Sequence, residues 1–291
     1  KVRPTLDRLL KPLSSAGYVL SDAGPMLLDA AEFGVPQRRR RVFIVGRQAG
    51  LADIKRPAPY AGPTVEGALD DLPDVDRYEE LLTQGSLQLG VAEIATMVSS
   101  ASAYARSLRT PRAYEYERLW DERTLTGCQR TRHSDAVRVR FAALKPGESD
   151  AVSRTSRLSG PGHANTLRAG TGPDHGSYTA PRPIHHERPR VVTVREAARL
   201  HSFPDWFSFH RTKWHALREI GNSVPPSLAY AVAATVVDVV VDGPLEPPTK
   251  RVDLGPDSLL NMTFTTAADH FDLDRALLPK DVRRESSGPQ A

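Results

Sequence analysis

The chain has 291 residues, a single cysteine (Cys128), a formal net charge of +4 and a pI of about 9.3. One cysteine excludes an intrachain disulfide and fits a reducing cytosol, and the longest apolar run, within Leu228–Val241, is broken by Asp238 and too short to cross a membrane. Length allows one large domain or two small ones, and the Arg-led positive balance suits an anionic partner, although a GC-rich genome would also enrich Arg, Ala and Pro.

The chain begins at Lys1 rather than Met and enters TLDRLLKPLSSAGYVL at once. Leu6, Leu9, Leu10 and Leu13 recur at helical spacing, Gly17 ends that helix, and Tyr18-Val19-Leu20 start a strand. So abrupt a start predicts a piece of something longer, or a processed chain. MLLDAAEFGVPQ predicts a strand and turn ending at Pro36, and RVFIVG a short buried strand closed by Gly46. A Pro-punctuated loop follows, with one short helix capped by Thr64.

From about residue 75 to 188 periodicity weakens and polar residues dominate. Composition alone allows disorder there. Trp120, Phe141, several tyrosines and RVRFAAL favour a small, loop-rich second domain. Order returns at Val191. Thr193 and Glu196 make a capping box, Ala197 and Leu200 share a face, and Phe203-Pro204 stops the helix. GNSVPPSLAYAVAATVVDVVVDG predicts a second helix, with Ser223 as N-cap and Pro225 and Pro226 in its first turn. That helix is apolar nearly all round, which predicts burial. Beyond Gly243 the chain is Pro-rich and ends in a polar tail.

The stretch EFGVPQRRRRVFIVG runs four arginines into an apolar strand. Alternate residues of a strand share a face. Gln37, Arg39 and Arg41 therefore point one way, and Arg38 and Arg40 the other. One row can form a polar clamp; a basic edge strand that resists edge-to-edge pairing is the competing reading. TLRAGTG, from Thr166 to Gly172, pairs a hydroxyl and Arg168 with glycines that permit close approach to a phosphate backbone, and it also fits a flexible surface loop. Asn222 and Ser223 precede a helix, where they would favour an anion or simply cap. Cys128 has no neighbouring base, and the His185-His186 pair has no partner at metal-ligand spacing, so neither a nucleophile nor a metal is assigned.

Taken together and in order, FGVPQRRRRVFIVG, RPRVVTVREAARLHSFPDWF and REIGNSVPPSLAYAVA resemble the C-terminal half of a DNA cytosine-5 methyltransferase. PTVEGALDDLP is similar to the family's connection after the first motif. The resemblance covers roughly residues 5–240. It implies the late part of an α/β, Rossmann-like S-adenosylmethionine-dependent methyltransferase sheet with an inserted loop-rich target-recognition domain. The expected boundaries are 1–74 for the late catalytic domain, 75–188 for target recognition, 189–242 for helices returning to the core, and 243–291 for a tail.

The resemblance also implies chemistry. The target cytosine is flipped from the duplex. A cysteine adds to carbon 6, a glutamate contacts nitrogen 3, and carbon 5 takes the methyl of S-adenosylmethionine. Gln37, Arg39 and Arg41 match the family's Gln-x-Arg-x-Arg, which helps hold the flipped base and its backbone. Thr166, with Arg168 beside it, matches a phosphate-contacting threonine. Arg190, Arg195, Glu196 and Arg199 match a structural motif. Asn222 and Ser223 match the last motif, which contacts the cofactor. No Phe-x-Gly-x-Gly, Pro-Cys-Gln or Glu-Asn-Val precedes them. The implied partners are double-stranded DNA and a missing N-terminal half or subunit. The implied setting is a bacterial restriction–modification system in the cytoplasm, at the nucleoid. The alternative is a catalytically silent homologue that binds DNA or regulates a partner. The resemblance further implies that replacing Arg41 harms methylation more than replacing Arg40.

Overall fold

The computed structural model describes residues 3–22, 24–114, 116–170, 182–241, 243 and 249–278. Helix α1 (Arg3–Ser15) ends before Gly17, whose φ of 83° lies in the left-handed region that L-residues with a Cβ avoid. Strand β1 (Tyr18–Leu20) pairs antiparallel with β4 (Gly46–Gln48), and β2 (Met26–Asp29) with β3 (Arg40–Phe43). RVFIVG is thus divided. Gly46 opens β4 instead of closing β3, and Val42 is 60% exposed because it points away from the side that packs on Leu28.

Helix α2 (Val65–Leu69) starts where expected, the Thr64 hydroxyl accepting the Gly67 N–H at 3.2 Å. The weakly periodic region holds β5 (Ser86–Gln88), α3 (Val91–Ser100), α4 (Ala103–Leu108), β6 (Arg118–Leu119), β7 (Thr124–Thr126) and α5 (Asp135–Ala143). Its elements are short, so hydrophobic period has little length in which to appear. Strands β5 and β7 pair antiparallel over a local core of Val75, Leu81, Leu87, Met97, Leu125 and Cys128.

Helix α6 (Val194–Arg199) carries the expected Thr193/Glu196 capping box. Next comes α7 (Lys213–Asn222), not foreseen from the sequence, then α8 (Pro226–Val240), β8 (Val252–Asp253) and α9 (Phe264–His270). Strand β8 lies parallel to β6, so the segment beyond α8 returns to residues 118–119, inside the stretch expected to form a separate domain. Ser223 is the C-cap of α7, its N–H on Glu219 O at 3.1 Å, and is not the N-cap of α8. Pro225 fills that cap position and Pro226 is the first helical residue, where a missing N–H costs least.

The central core joins α2, α6 and α7 through Val65, Leu69, Val192, Leu200, Phe203 and Ile220. Leu158, Ala164 and Leu167 belong to the same core, so packing runs across the boundary expected at residue 188. A second core packs Met26, Leu28, Phe33 and Val35 on Leu228 and Val232 of α8. Helix α8 is not buried all round, as its composition suggested: only these two side chains are, while Tyr230 is 47% and Val240 55% exposed. Lys213–Val240 is apolar enough over part of its length to resemble a membrane span. It breaks at Ser223–Pro225, and its apolar half, α8, has 15 residues, short of the roughly 20 a span requires.

Candidate functional site

The arginine run is sorted by strand geometry. Gln37 and Arg39 are buried, Arg38 and Arg40 exposed, and Arg41 half-buried. The inward row does make a polar clamp, and what it grips is backbone. Gln37 Oε1 accepts the Leu167 N–H at 3.1 Å, and its Nε2 donates to Leu200 O at 3.1 Å and His201 Nδ1 at 3.0 Å. Arg39 Nη1 donates to Leu167 O at 2.7 Å, and Nη2 to Gly221 O at 2.6 Å and Ser223 O at 3.0 Å. With Nδ1 accepting, the His201 proton sits on Nε2, 3.3 Å from Ser223 O. Two side chains thus fasten the loop around Leu167 to the end of α6 and to the turn between α7 and α8.

Electrostatics agree with that closed arrangement. Burial, helped by the Arg41 charge, lowers the Arg39 pKa to about 10, which leaves it charged at neutral pH. Burial, and then the nearby Arg39 charge, drives His201 down to about 3, so it is neutral and can accept from Gln37. Arg41 is not part of the clamp; its Nη1 donates to Arg40 O at 2.8 Å.

Backbone bonds continue the seam. Arg38 N–H donates to Ala164 O and Ala164 N–H to Pro36 O, each at 2.9 Å. The Thr166 hydroxyl donates to Arg38 O at 2.7 Å, so its proton is directed at this chain's own strand. Gly221 lies so close to the loop that a Cβ there would meet Ala169 N at 2.5 Å. Arg168 is exposed. Thr171 and Gly172, the end of the glycine-rich motif, lie outside the described residues.

The arginines around α6 join β7 and the segment after α2 to the same core. Arg195 Nε and Nη2 donate to Thr126 O at 3.0 Å and Thr126 Oγ1 at 2.8 Å, and Nη1 donates to Pro204 O at 3.0 Å. Arg199 grips Asp71 at 3.0 Å and Asp205 at 2.6 Å, all three buried. Arg190 Nη2 lies 2.7 Å from Glu196 Oε1. Burial works to raise the Glu196 pKa, but the Arg190 charge and its hydrogen bonds prevail and hold it at about 2. Glu196 is therefore an ionised structural partner. Cys128 is buried in the local core, its thiol pushed up to about 12 by burial, which removes the thiolate a nucleophile needs.

Of the residues expected to meet a cofactor, Asn222 is exposed and Ser223 half-buried. The Ser223 hydroxyl turns inward to Ile220 O at 2.8 Å, and its carbonyl serves Arg39 and His201. One exposed amide and one committed hydroxyl do not enclose an adenosyl group, so this chain's residues alone do not fit S-adenosylmethionine and no step is derived through it. The sequence reading singled out Gln37, Arg39 and Ser223 but missed His201, Gly221, Leu167, Asp71 and Asp205. The alternation that sets Gln37 and Arg39 on one face is the nearest sequence signal, and nothing in the sequence pairs that face with residues 200–201 or 221–223.

Residues 1–238 match the C-5 cytosine-specific DNA methylase family. The type II methyltransferase M.XorII of Xanthomonas oryzae is 41% identical over 285 residues, 97% of this chain and 66% of that protein. M.SacI of Streptomyces achromogenes is 29% identical over 80% of this chain and 55% of its own length. A solved DNA modification methyltransferase encoded within an E. coli prophage superposes with a TM-score of 0.63 at 30% identity, covering 81% of this chain and 65% of that one. The chain thus spans between about half and two-thirds of these relatives. Its architecture is the α/β, Rossmann-like fold of S-adenosylmethionine-dependent methyltransferases, as that superposition shows. With the family match running from the first residue to residue 238, near the end of α8, the chain belongs to the C-5 cytosine-specific DNA methylase family.

Proposed function

We propose that this chain is the C-terminal portion, or the second subunit, of a DNA cytosine-5 methyltransferase of a restriction–modification system. It recognises a specific duplex site and completes the pockets in which the methyl of S-adenosylmethionine passes to carbon 5 of a flipped cytosine. The catalytic cysteine and glutamate lie on an N-terminal portion or partner. Arg41, half-buried beside the clamp, reaches the flipped base or its backbone, Thr166 and Arg168 lie along the DNA, and Asn222 forms one edge of the cofactor pocket. The whole acts on host DNA in the bacterial cytoplasm, at the nucleoid.

The observation that carries this reading is the exposed apolar face of α8. Tyr230, Ala233, Ala234 and Val240 are all exposed there, on a helix whose other face puts Leu228 and Val232 into a core. Such a surface marks an interface. The absence of Pro-Cys-Gln and Glu-Asn-Val from the 291 residues, and the buried, protonated Cys128, agree with a catalytic half elsewhere.

Co-expression with a family N-terminal portion bearing those two motifs tests the proposal, with 5-methylcytosine mapped across the host DNA. The expected result is methylation at one recurring duplex site, only when both parts are present. Methylation by this chain alone would overturn the division of labour. Duplex binding without methylation in any pairing would favour the silent, DNA-binding alternative.

A further inference from the structure

The outward row of the arginine run faces a cleft of about 700 Å³ whose walls come from both sides of the seam. Arg38 and Arg40 project into it from the strand, Arg56 from the loop beyond β4, and Asn165 and Thr166 from the loop around Leu167. None of these side chains belongs to the clamp formed by Gln37 and Arg39.

The cleft is built, and not merely charged. Arg56 Nη2 donates to Leu27 O at 2.9 Å, which anchors that guanidinium at the rim and leaves its other donors available. The Thr166 hydroxyl, on Arg38 O, holds the loop wall against the strand wall. Two carboxylates share the space. Asp29 is committed inward, its Oδ1 accepting the Arg39 N–H at 2.9 Å and the Ala31 N–H at 3.3 Å. Glu32 is exposed at the edge.

Three guanidinium groups against two carboxylates give only a small local excess of positive charge. A lone small anion would gain little there. A polyanion that offers phosphates in series gains from each fork separately. Alternate residues on a strand stand about 6.6 Å apart, close enough for Arg38 and Arg40 to reach successive phosphates of one nucleic-acid strand. The open lining is polar except for Leu27, with no aromatic side chain on which a base could stack, so the contact it suits is with backbone.

The geometry points to this cleft as a phosphodiester-backbone site for duplex DNA, with Arg38, Arg40 and Arg56 as the contacting residues. The inference rests on DNA being the substrate, and it assigns the two rows of one strand different tasks. The inward row holds the protein together, and the outward row holds the DNA backbone without reading its sequence.

Fluorescence anisotropy of the full chain with a labelled 30-base-pair duplex, titrated over a range of salt, tests it. Arg38→Ala and Arg40→Ala should each lower the magnitude of the log K against log salt slope by about 0.9, equivalent to roughly eightfold weaker binding at 0.1 M than the wild type once referenced to 1 M salt. Arg40→Lys should retain the slope, because a single positive charge still neutralises the phosphate. Arg251→Ala, on the exposed tail, should leave it unchanged. Thermal midpoints of the variants should equal the wild type's, since both side chains are exposed and outside the clamp. Wild-type binding with an unchanged slope in both alanine variants would overturn the cleft while leaving DNA as the substrate. Failure of the wild type to bind any duplex would overturn both.

Discussion

Gln37 and Arg39 differ from Arg38 and Arg40 by one step along an extended strand, and that step decides what each can touch. The inward side chains meet carbonyls of residues 167, 200, 221 and 223, all buried or half-buried. Neutral His201 completes the set, which gives stability a defined acid dependence. His201 and His185 sit at about 3 and about 4 in the folded chain, chiefly through burial, against about 6.5 when unfolded. Above pH 6.5 neither form binds these protons, and stability is complete. Below it the unfolded chain takes them up first, so stability falls as pH drops from about 6.5 to the two folded values and levels off beneath them. Glu196, held at about 2, adds a loss in the same direction at still lower pH. Urea midpoints should therefore decline steadily from pH 7 to pH 4, and His201→Gln should flatten the profile. A wild-type profile that is flat over that range would contradict the neutral-histidine assignment.

At the level of elements, the contact between α7 and the loop at Arg168–Ala169 is made by a glycine. A methyl on Gly221 would press on Ala169 N and on Arg168 C, both at 2.5 Å, and backbone at both places cannot swing aside as a side chain could. Gly221→Ala should cost about 2 kcal/mol in denaturant unfolding. Gly85→Ala, where a Cβ meets nothing within 4 Å, should stay within about 0.5 kcal/mol of the wild type. Equal effects would mean that the loop yields freely. Much of this level was legible in the sequence. The first helix and its Gly17 stop, the Thr64 cap, the Thr193/Glu196 capping box and the alternation of the arginine run all follow from local rules. Helix α7 was missed because its start lacks a side-chain cap and GNSVPP, at its end, carries the marks of a helix beginning. Ser223 can cap forwards or backwards, and Pro225 settles the matter by taking the cap of the next helix.

Across the whole molecule, what local rules could not supply is which distant groups meet. Gln37 and Leu200 lie 163 positions apart and Arg39 and Gly221 182 apart, and no periodicity in either segment specifies the other. The sequence showed that a clamp was possible, but only the fold shows that it closes on backbone. Likewise the apolar character of α8 predicted burial all round, whereas the fold buries only Leu228 and Val232 of it. The central claim is that one buried guanidinium ties the loop around Leu167 to the turn before α8. Hydrogen exchange of the full chain tests it most directly, comparing Arg39→Ala with Arg40→Ala. Removing Arg39 leaves three carbonyls without their charged donor, a loss of about 3 kcal/mol or more. The prediction is faster exchange in both 164–169 and 219–225 for Arg39→Ala, with Arg40→Ala unchanged in both. Wild-type protection of the two segments in Arg39→Ala would contradict it.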